Sequence, residues 1–136
     1  MTVLVDSDIL IEVSRNRDTS IISTWRSLVE SGTPLLYSPV SVAELWAGAR
    51  PSEYGALSAL FDAMTPIPID PATGRMAGDF LRLYRNSHSV ELADALIAAC
   101  AISARALLWT RNRKHYPMKE ITVYADPRKR NTRQHD

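Results

Sequence analysis

Short apolar runs ending in polar residues alternate along this chain with longer stretches in which apolar residues recur every three or four positions. Val3-Leu4-Val5 opens the series, and a continuous apolar, β-branched run of this kind reads as a strand buried on both faces. Thr2 to Val5 is therefore predicted as the central strand of a parallel sheet. Similar runs at Leu35-Leu36-Tyr37, Thr65-Pro66-Ile67-Pro68-Ile69, Leu107-Leu108-Trp109-Thr110 and Ile121-Thr122-Val123-Tyr124 predict four more strands. The two prolines of the third run cannot donate ladder hydrogen bonds, so it belongs at a sheet edge.

Between the runs the period changes to that of helices. Helices are predicted over residues 8–15 and 21–30, the second capped by Thr19 or Ser20. A third follows Ser38-Pro39, an N-cap with proline at the first helical position, and runs towards Gly48. Further helices are predicted from 51 to about 64, from 71 to about 85, where Asn86-Ser87-His88-Ser89 breaks the pattern, and from 90 to 106. This last helix is apolar almost all round, as a helix buried by the fold would be. Strands alternating with helices imply an α/β fold, a five-stranded parallel sheet with helices on both faces. With 136 residues the chain reads as one domain over 1–125, followed by a basic tail over 126–136 that is a candidate for disorder.

Composition narrows the class. The single cysteine, Cys100, excludes an internal disulfide and lies in an apolar helical run, where it acts as a small core hydrophobe. No apolar segment approaches the ~20 residues of a membrane span, and the chain opens on a strand instead of a signal region. The expectation is a cytoplasmic protein with no membrane association. The formal net charge of +1 hides an asymmetry: residues 1–104 carry 7 basic and 12 acidic side chains, a net −5, and residues 105–136 carry 9 and 3, a net +6. Arg111, Arg113, Lys114, Lys119, Arg128, Lys129, Arg130 and Arg133 could neutralise phosphates beside an acidic pocket, a distribution suited to nucleic acid.

Three carboxylates stand where none is expected. Asp6 ends the first strand, and in open α/β sheets ligands bind beyond the carboxyl ends of the strands; it could equally cap the following helix. Asp94 interrupts the run Leu92 to Ile102, and with Ser89 as the N-cap it would lie too deep in its helix to cap it. A carboxylate there needs a partner, an arginine such as Arg75 or Arg82, or a cation. Glu44 repeats the anomaly one to two turns beyond the second strand, although an exposed helical glutamate is the plain alternative. All three can converge at one edge of the sheet, where mutual repulsion calls for a hard divalent ion. With oxygen ligands only, and His88, His115 and His135 lacking zinc spacing, Mg²⁺ or Mn²⁺ fits best. Such an ion activates water and screens charge on phosphoryl oxygens, which implies phosphodiester hydrolysis.

Residues 5–11 (Val-Asp-Ser-Asp-Ile-Leu-Ile), Ser41-Val-Ala-Glu44, residues 92–99 (Leu-Ala-Asp-Ala-Leu-Ile-Ala-Ala) and residues 109–116 (Trp-Thr-Arg-Asn-Arg-Lys-His-Tyr) resemble, in order and spacing, the PIN-domain ribonucleases, especially VapC-type toxins of bacterial toxin–antitoxin systems. The resemblance implies a three-layer α/β/α fold, Mg²⁺- or Mn²⁺-dependent RNA cleavage, homodimerisation and inhibition by a small antitoxin. It makes Asp6, Glu44 and Asp94 metal ligands, with Asp8 in support and Thr110 and Asn112 in the last motif; Asn112, after the fourth predicted strand, is expected to face the same pocket as Asp6, where its amide oxygen can still orient a metal-bound water. Many members carry a fourth acid at or near position 112. Here an amide stands there and His115 occupies another acidic place, so one metal is expected instead of two. With the acidic pocket, the resemblance further suggests an inhibitory partner that places an arginine against the three acids.

Two other classes share parts of the pattern. Asp6-Ser7-Asp8 after a first strand is similar to haloacid-dehalogenase-type phosphatases, and a receiver domain could use Asp6 and Asp8 for Mg²⁺ with Asp70 as phosphoacceptor. Both leave Glu44 and Asp94 unexplained and predict an aspartyl phosphate from a small phosphodonor. A non-catalytic RNA- or antitoxin-binding module is the third alternative.

Overall fold

The computed structural model describes residues 1–129 of the chain. Its elements follow the alternation in the sequence: β1 (Val3–Val5), α1 (Ser7–Arg15), α2 (Thr19–Glu30), β2 (Leu35–Tyr37), α3 (Pro39–Ala47), α4 (Tyr54–Asp62), β3 (Thr65–Pro66), α5 (Pro71–His88), α6 (Leu92–Ser103) and β4 (Leu107–Trp109). The strands form one parallel sheet in the order β3-β2-β1-β4, so β1 is interior and the proline-bearing β3 lies at an edge. Successive strand residues point to opposite faces. Leu4, Leu36 and Leu108 pack against α5 and α6, while Val3, Val5, Leu35 and Trp109 pack against the layer containing α1, α2 and α4. Three layers result, with Val3, Leu4 and Val5 wholly buried between the outer two.

The sheet has four strands where the pattern predicts five. Of the segment 121–124, one residue pairs: Val123 forms a single parallel bridge with Leu108, whose N–H donates to the Thr122 carbonyl (2.9 Å) and whose carbonyl accepts from Tyr124 N–H (2.7 Å). Beyond the bridge the chain crosses to α2, where Asp126 accepts a hydrogen bond from the Thr24 hydroxyl (2.7 Å). The expected place of a fifth strand beside β4 is right, but its ladder ends after one bridge.

Other boundaries shift for local reasons. Asp18, not Thr19 or Ser20, caps α2 by accepting from the Ile21 N–H (3.1 Å). The helix expected from residue 51 begins as a 3₁₀ turn, Pro51–Glu53, before α4. Polar residues 86–88 continue α5 on its exposed side, and Ser89, at φ 54°, ends it. Ser89 therefore cannot open α6. Glu91 is its N-cap and Asp94 is the third helical residue, accepting from the Glu91 N–H (3.0 Å). The premise that Asp94 lies too deep to serve the helix end is thus corrected. Cys100 is fully buried, as its apolar surroundings predict.

Of the expected tail, residues 126–129 are described and the rest, with Arg130, Arg133 and His135, lies outside the described residues. Pro127–Lys129 forms a 3₁₀ turn held on α2: the Lys129 Nζ donates to Thr24 Oγ1 (2.8 Å), to the Ser20 carbonyl (2.8 Å) and to Ser20 Oγ. Thr24 is 2% exposed, so its hydroxyl is committed to this anchor. Thr24→Val is expected to lower stability by about 1–2 kcal/mol, the cost of leaving buried partners unpaired. Urea unfolding checks the loss, and faster amide exchange at Lys129 checks that the anchor itself has opened.

Candidate active site

Asp6 stands where β1 runs into α1. Its N–H still donates to the Trp109 carbonyl (3.0 Å), continuing the sheet, while its side chain caps α1 by accepting from the Ser7 N–H at Oδ1 (2.8 Å). Cap and site candidate are thus the same residue. Its Oδ2 accepts from the hydroxyls of Thr110 (2.8 Å) and Tyr116 (3.0 Å), both supplied by the segment after β4. The carboxyl is 6% exposed as a residue, and burial, with the neighbouring Asp8 carboxylate second, pushes its pKa up to about 7.

Asp8 lies one residue into α1 and is also pushed upward by burial, opposed by the Arg111 N–H that donates to its Oδ2 (3.0 Å). Its Oδ1 is buried without a hydrogen-bond partner. A buried acceptor in that state is costly unless something cationic or donating completes it.

Ser7 connects Asp6 to Glu44. Its hydroxyl donates to Glu44 Oε1 (2.7 Å) and lies 2.7 Å from the Ser41 hydroxyl. A hydroxyl has one proton, so Ser41 is the donor to Ser7. Proline at the start of α3 sets the helix so that Ser41, wholly buried, faces Ser7, and Glu44, one turn on, reaches the same hydroxyl from the exposed side.

Asp94 approaches through a different relay. His115 Nδ1 is 3.5 Å from Asp94 Oδ2 and 2.9 Å from the Asn112 side-chain amide. Asn112 in turn donates its backbone N–H to Thr110 Oγ1 (2.9 Å). The Asn112 amide is therefore directed to His115, and its connection to Asp6 runs through Thr110. The expected arginine partners of Asp94 do not materialise: Arg82 pairs with Asp79 (2.7 Å), and Arg75 makes no ion pair among the described residues. Burial raises the Asp94 pKa, against the Glu91 N–H and His115. The Tyr116 hydroxyl is raised far above its ordinary value by burial and then by the carboxylates of Asp6, Asp94 and Asp8, so it remains a proton donor to Asp6.

Asp6, Asp8 and Asp94 thus act on one phenol, and Glu44 joins through Ser7. Among the described residues, however, no three His, Cys, Asp or Glu side chains are gathered as a ready-made metal cage. What the fold holds together is a set of oxygen donors wired by Ser7, Ser41, Thr110, Asn112 and Tyr116. The sequence pattern singles out the acids but not Ser7, Ser41 or Tyr116; only their positions inside the three motifs mark them. Asp70, the phosphoacceptor of the receiver alternative, is spent capping α5, where it accepts from the Thr73 N–H and hydroxyl (2.8 and 2.9 Å).

Comparison with known proteins agrees with this architecture. The PIN domain family profile matches residues 3–121. Ribonuclease VapC10 of Mycobacterium tuberculosis is 38% identical over 119 residues, covering 87% of this chain and 88% of that protein. Ribonuclease VapC19 of the same species is 34% identical over 116 residues, covering 85% and 92%. Among solved structures, VapBC2 from Rickettsia felis, bound to a DNA fragment from its promoter, superposes with a TM-score of 0.75 at 19% identity, covering 91% of this chain and 98% of that one. The chain belongs to the PIN-domain family, on its VapC-type branch.

Proposed function

We propose that this protein is a metal-dependent endoribonuclease, the toxin of a toxin–antitoxin pair, in which Asp6, Glu44 and Asp94 hold one Mg²⁺ or Mn²⁺ ion. The observation that carries the reading is the carboxylate pair at the end of β1: buried Asp6 is pushed up to about pKa 7 beside half-buried Asp8, whose Oδ1 is shielded from solvent and has no partner. Negative charge concentrated and undersatisfied in this way fits a hard cation, and the donors are all oxygens. The names of the M. tuberculosis relatives support ribonuclease activity, and the VapBC structures support an antitoxin partner.

A divalent ion at this site would lower the pKa of water and screen charge building on the scissile phosphate. The chain's own residues do the positioning. Ser7 N–H, Thr110 and Tyr116 fix both oxygens of Asp6, Ser7 orients Glu44, and the Asn112–His115 pair flanks Asp94. His115 is the one imidazole within 4 Å of an acid among the described residues, and use of the ribose 2′-hydroxyl as nucleophile takes two acid–base groups, so hydrolysis should leave a 5′-phosphate and a 3′-hydroxyl. Incubating purified protein with total RNA, with and without Mg²⁺ or Mn²⁺, and sequencing 5′ ends tests this. Cleavage that persists in EDTA, or 2′,3′-cyclic phosphate ends, would refute it.

Asn112→Asp is expected to tighten Mg²⁺ binding about tenfold in calorimetric titration, since one added charge near a divalent ion survives screening by the other acids only in part. Unchanged affinity would mean that position 112 does not sense the ion. The same proposal places the protein in the cytoplasm as a homodimer with a small antitoxin whose arginine occupies the acidic pocket. Leu83 on α5 and Leu92 at the start of α6 are 62% and 60% exposed, apolar surface that a second copy would cover.

A further inference from the structure

A cleft of about 360 Å³ opens beside Asp6, on the side of the sheet covered by α1 and α2. Thr110, whose hydroxyl donates to Asp6, forms part of its wall, so the cleft and the carboxylates share a boundary. Of its apolar lining, Ile21, Trp109 and Tyr124 are 7–8% exposed and Ile9 is wholly buried; the two aromatic rings meet edge to face at 6.1 Å. Arg111, Arg113 and Lys129 also line it.

The cleft also contains two carboxylates, and both are neutralised. Asp126 is held by Arg128 (2.8 Å), Lys129 (4.0 Å) and the Thr24 hydroxyl, and Asp18 caps α2 and lies 3.8 Å from Arg111. Arg113 makes no ion pair among the described residues and is exposed. Its charge is therefore available in the cleft, on the segment that also supplies Thr110 and Tyr116 to Asp6.

From this we infer that the cleft seats one unpaired nucleotide of the RNA strand next to the scissile phosphate, its base against Ile21, Trp109 and Tyr124 and its phosphate at Arg113. The volume is near the lower end of the ~300–1,000 Å³ typical of small-ligand sites, which suits one nucleotide and excludes a duplex. Unpaired RNA is recognised by splaying bases onto aromatic surfaces while cations track the backbone. The three basic side chains come from the 111–129 segment whose positive charge stands out in the sequence, so the cleft gives part of that charge a specific task. The inference rests on the nuclease reading for its scissile phosphate, but its binding can be measured without cleavage.

The experiment uses the full chain in EDTA, titrated with a fluorescein-labelled, random-sequence single-stranded RNA decamer and read by anisotropy at several salt concentrations. Arg113→Ala should weaken binding and lower the slope of log affinity against log salt by about 0.7, one phosphate contact on a single strand. Ala125→Trp, which fills the cleft from its exposed wall, should weaken binding at least about fivefold, the smaller end of a base-stacking contribution. Arg85→Ala, on α5 in the opposite layer, should bind as wild type. Melting curves check Ala125→Trp for folding, and Arg113→Ala carries the test alone if that variant is unfolded. Wild-type affinity and salt slope in Arg113→Ala, or no RNA binding by wild type at all, would overturn the cleft assignment. Binding that depends on the cleft without any cleavage in Mg²⁺ or Mn²⁺ would sustain the cleft and sink the nuclease reading; cleavage with both variants binding normally would do the reverse.

Discussion

Asp6→Asn is expected to abolish RNA cleavage and at the same time to make the metal-free protein more stable at pH 8. Losing a ligand to a catalytic ion removes several kcal/mol of transition-state stabilisation, at least about a thousandfold in rate. The stability effect has a different origin. The folded-state pKa of Asp6 is raised from 3.8 to about 7, so between those values the folded protein binds more protons than the unfolded chain. Stability therefore falls as pH rises through that window, and the penalty is complete above about pH 7. A shift of roughly three units sets a ceiling of about 4 kcal/mol. The amide still accepts from the Ser7 N–H, but its NH₂ must find acceptors in Thr110 and Tyr116, so a gain of about 1–3 kcal/mol is expected. Urea unfolding in EDTA should show the variant ahead of wild type at pH 8 and level with it at pH 4. Adding Mg²⁺ at a hundred times its dissociation constant should then stabilise wild type by about 2.7 kcal/mol and the variant by much less. A variant less stable than wild type at pH 8 would mean that Asp6 serves mainly as the cap of α1.

The order of elements and the acids were legible because each rests on local pattern. Val3-Leu4-Val5 reads as an interior strand from its composition alone, and β1 is indeed wholly buried between two helical layers. Ser38-Pro39 marks the start of α3 to the residue because capping and proline geometry are both local. What escaped the sequence depends on contacts made across long separations. The fifth strand is reduced to one bridge, and just beyond it Asp126 binds Thr24, 102 residues away in the chain. Thr110 and Tyr116 acquire their roles from the approach of the segment after β4 to the end of β1, and Ser7 acquires its own from the packing of α3 beside α1. An apolar-polar pattern carries no information on which hydroxyl will meet which carboxylate. Asn112 shows the same limit: its position in the motif suggested the Asp6 pocket, whereas its amide is engaged by His115.

Asp94 is where a structural and a catalytic role are hardest to tell apart, and Asp94→Asn separates them. The side chain lies in the first turn of α6, accepts the Glu91 N–H and stands 3.5 Å from His115, so it could be retained simply to cap the helix and pair with the imidazole. An asparagine keeps an oxygen for the Glu91 N–H and loses only the charge. Losing a negative charge at a helix N-terminus costs about 0.3–1 kcal/mol. Relief of a half-buried carboxylate, whose pKa burial already raises, acts in the opposite direction. The two nearly cancel, and metal-free stability should stay within about 1 kcal/mol of wild type. Cleavage should nevertheless fall at least about a thousandfold, as expected for a metal ligand. His115→Gln supplies the contrast, since it removes the pairing partner and leaves the carboxylate, and should retain more activity than Asp94→Asn. If Asp94→Asn cleaves normally, or if it unfolds while His115→Gln loses as much activity, the acid belongs to the helix end and the divalent ion must be held by Asp6, Asp8 and Glu44 without it.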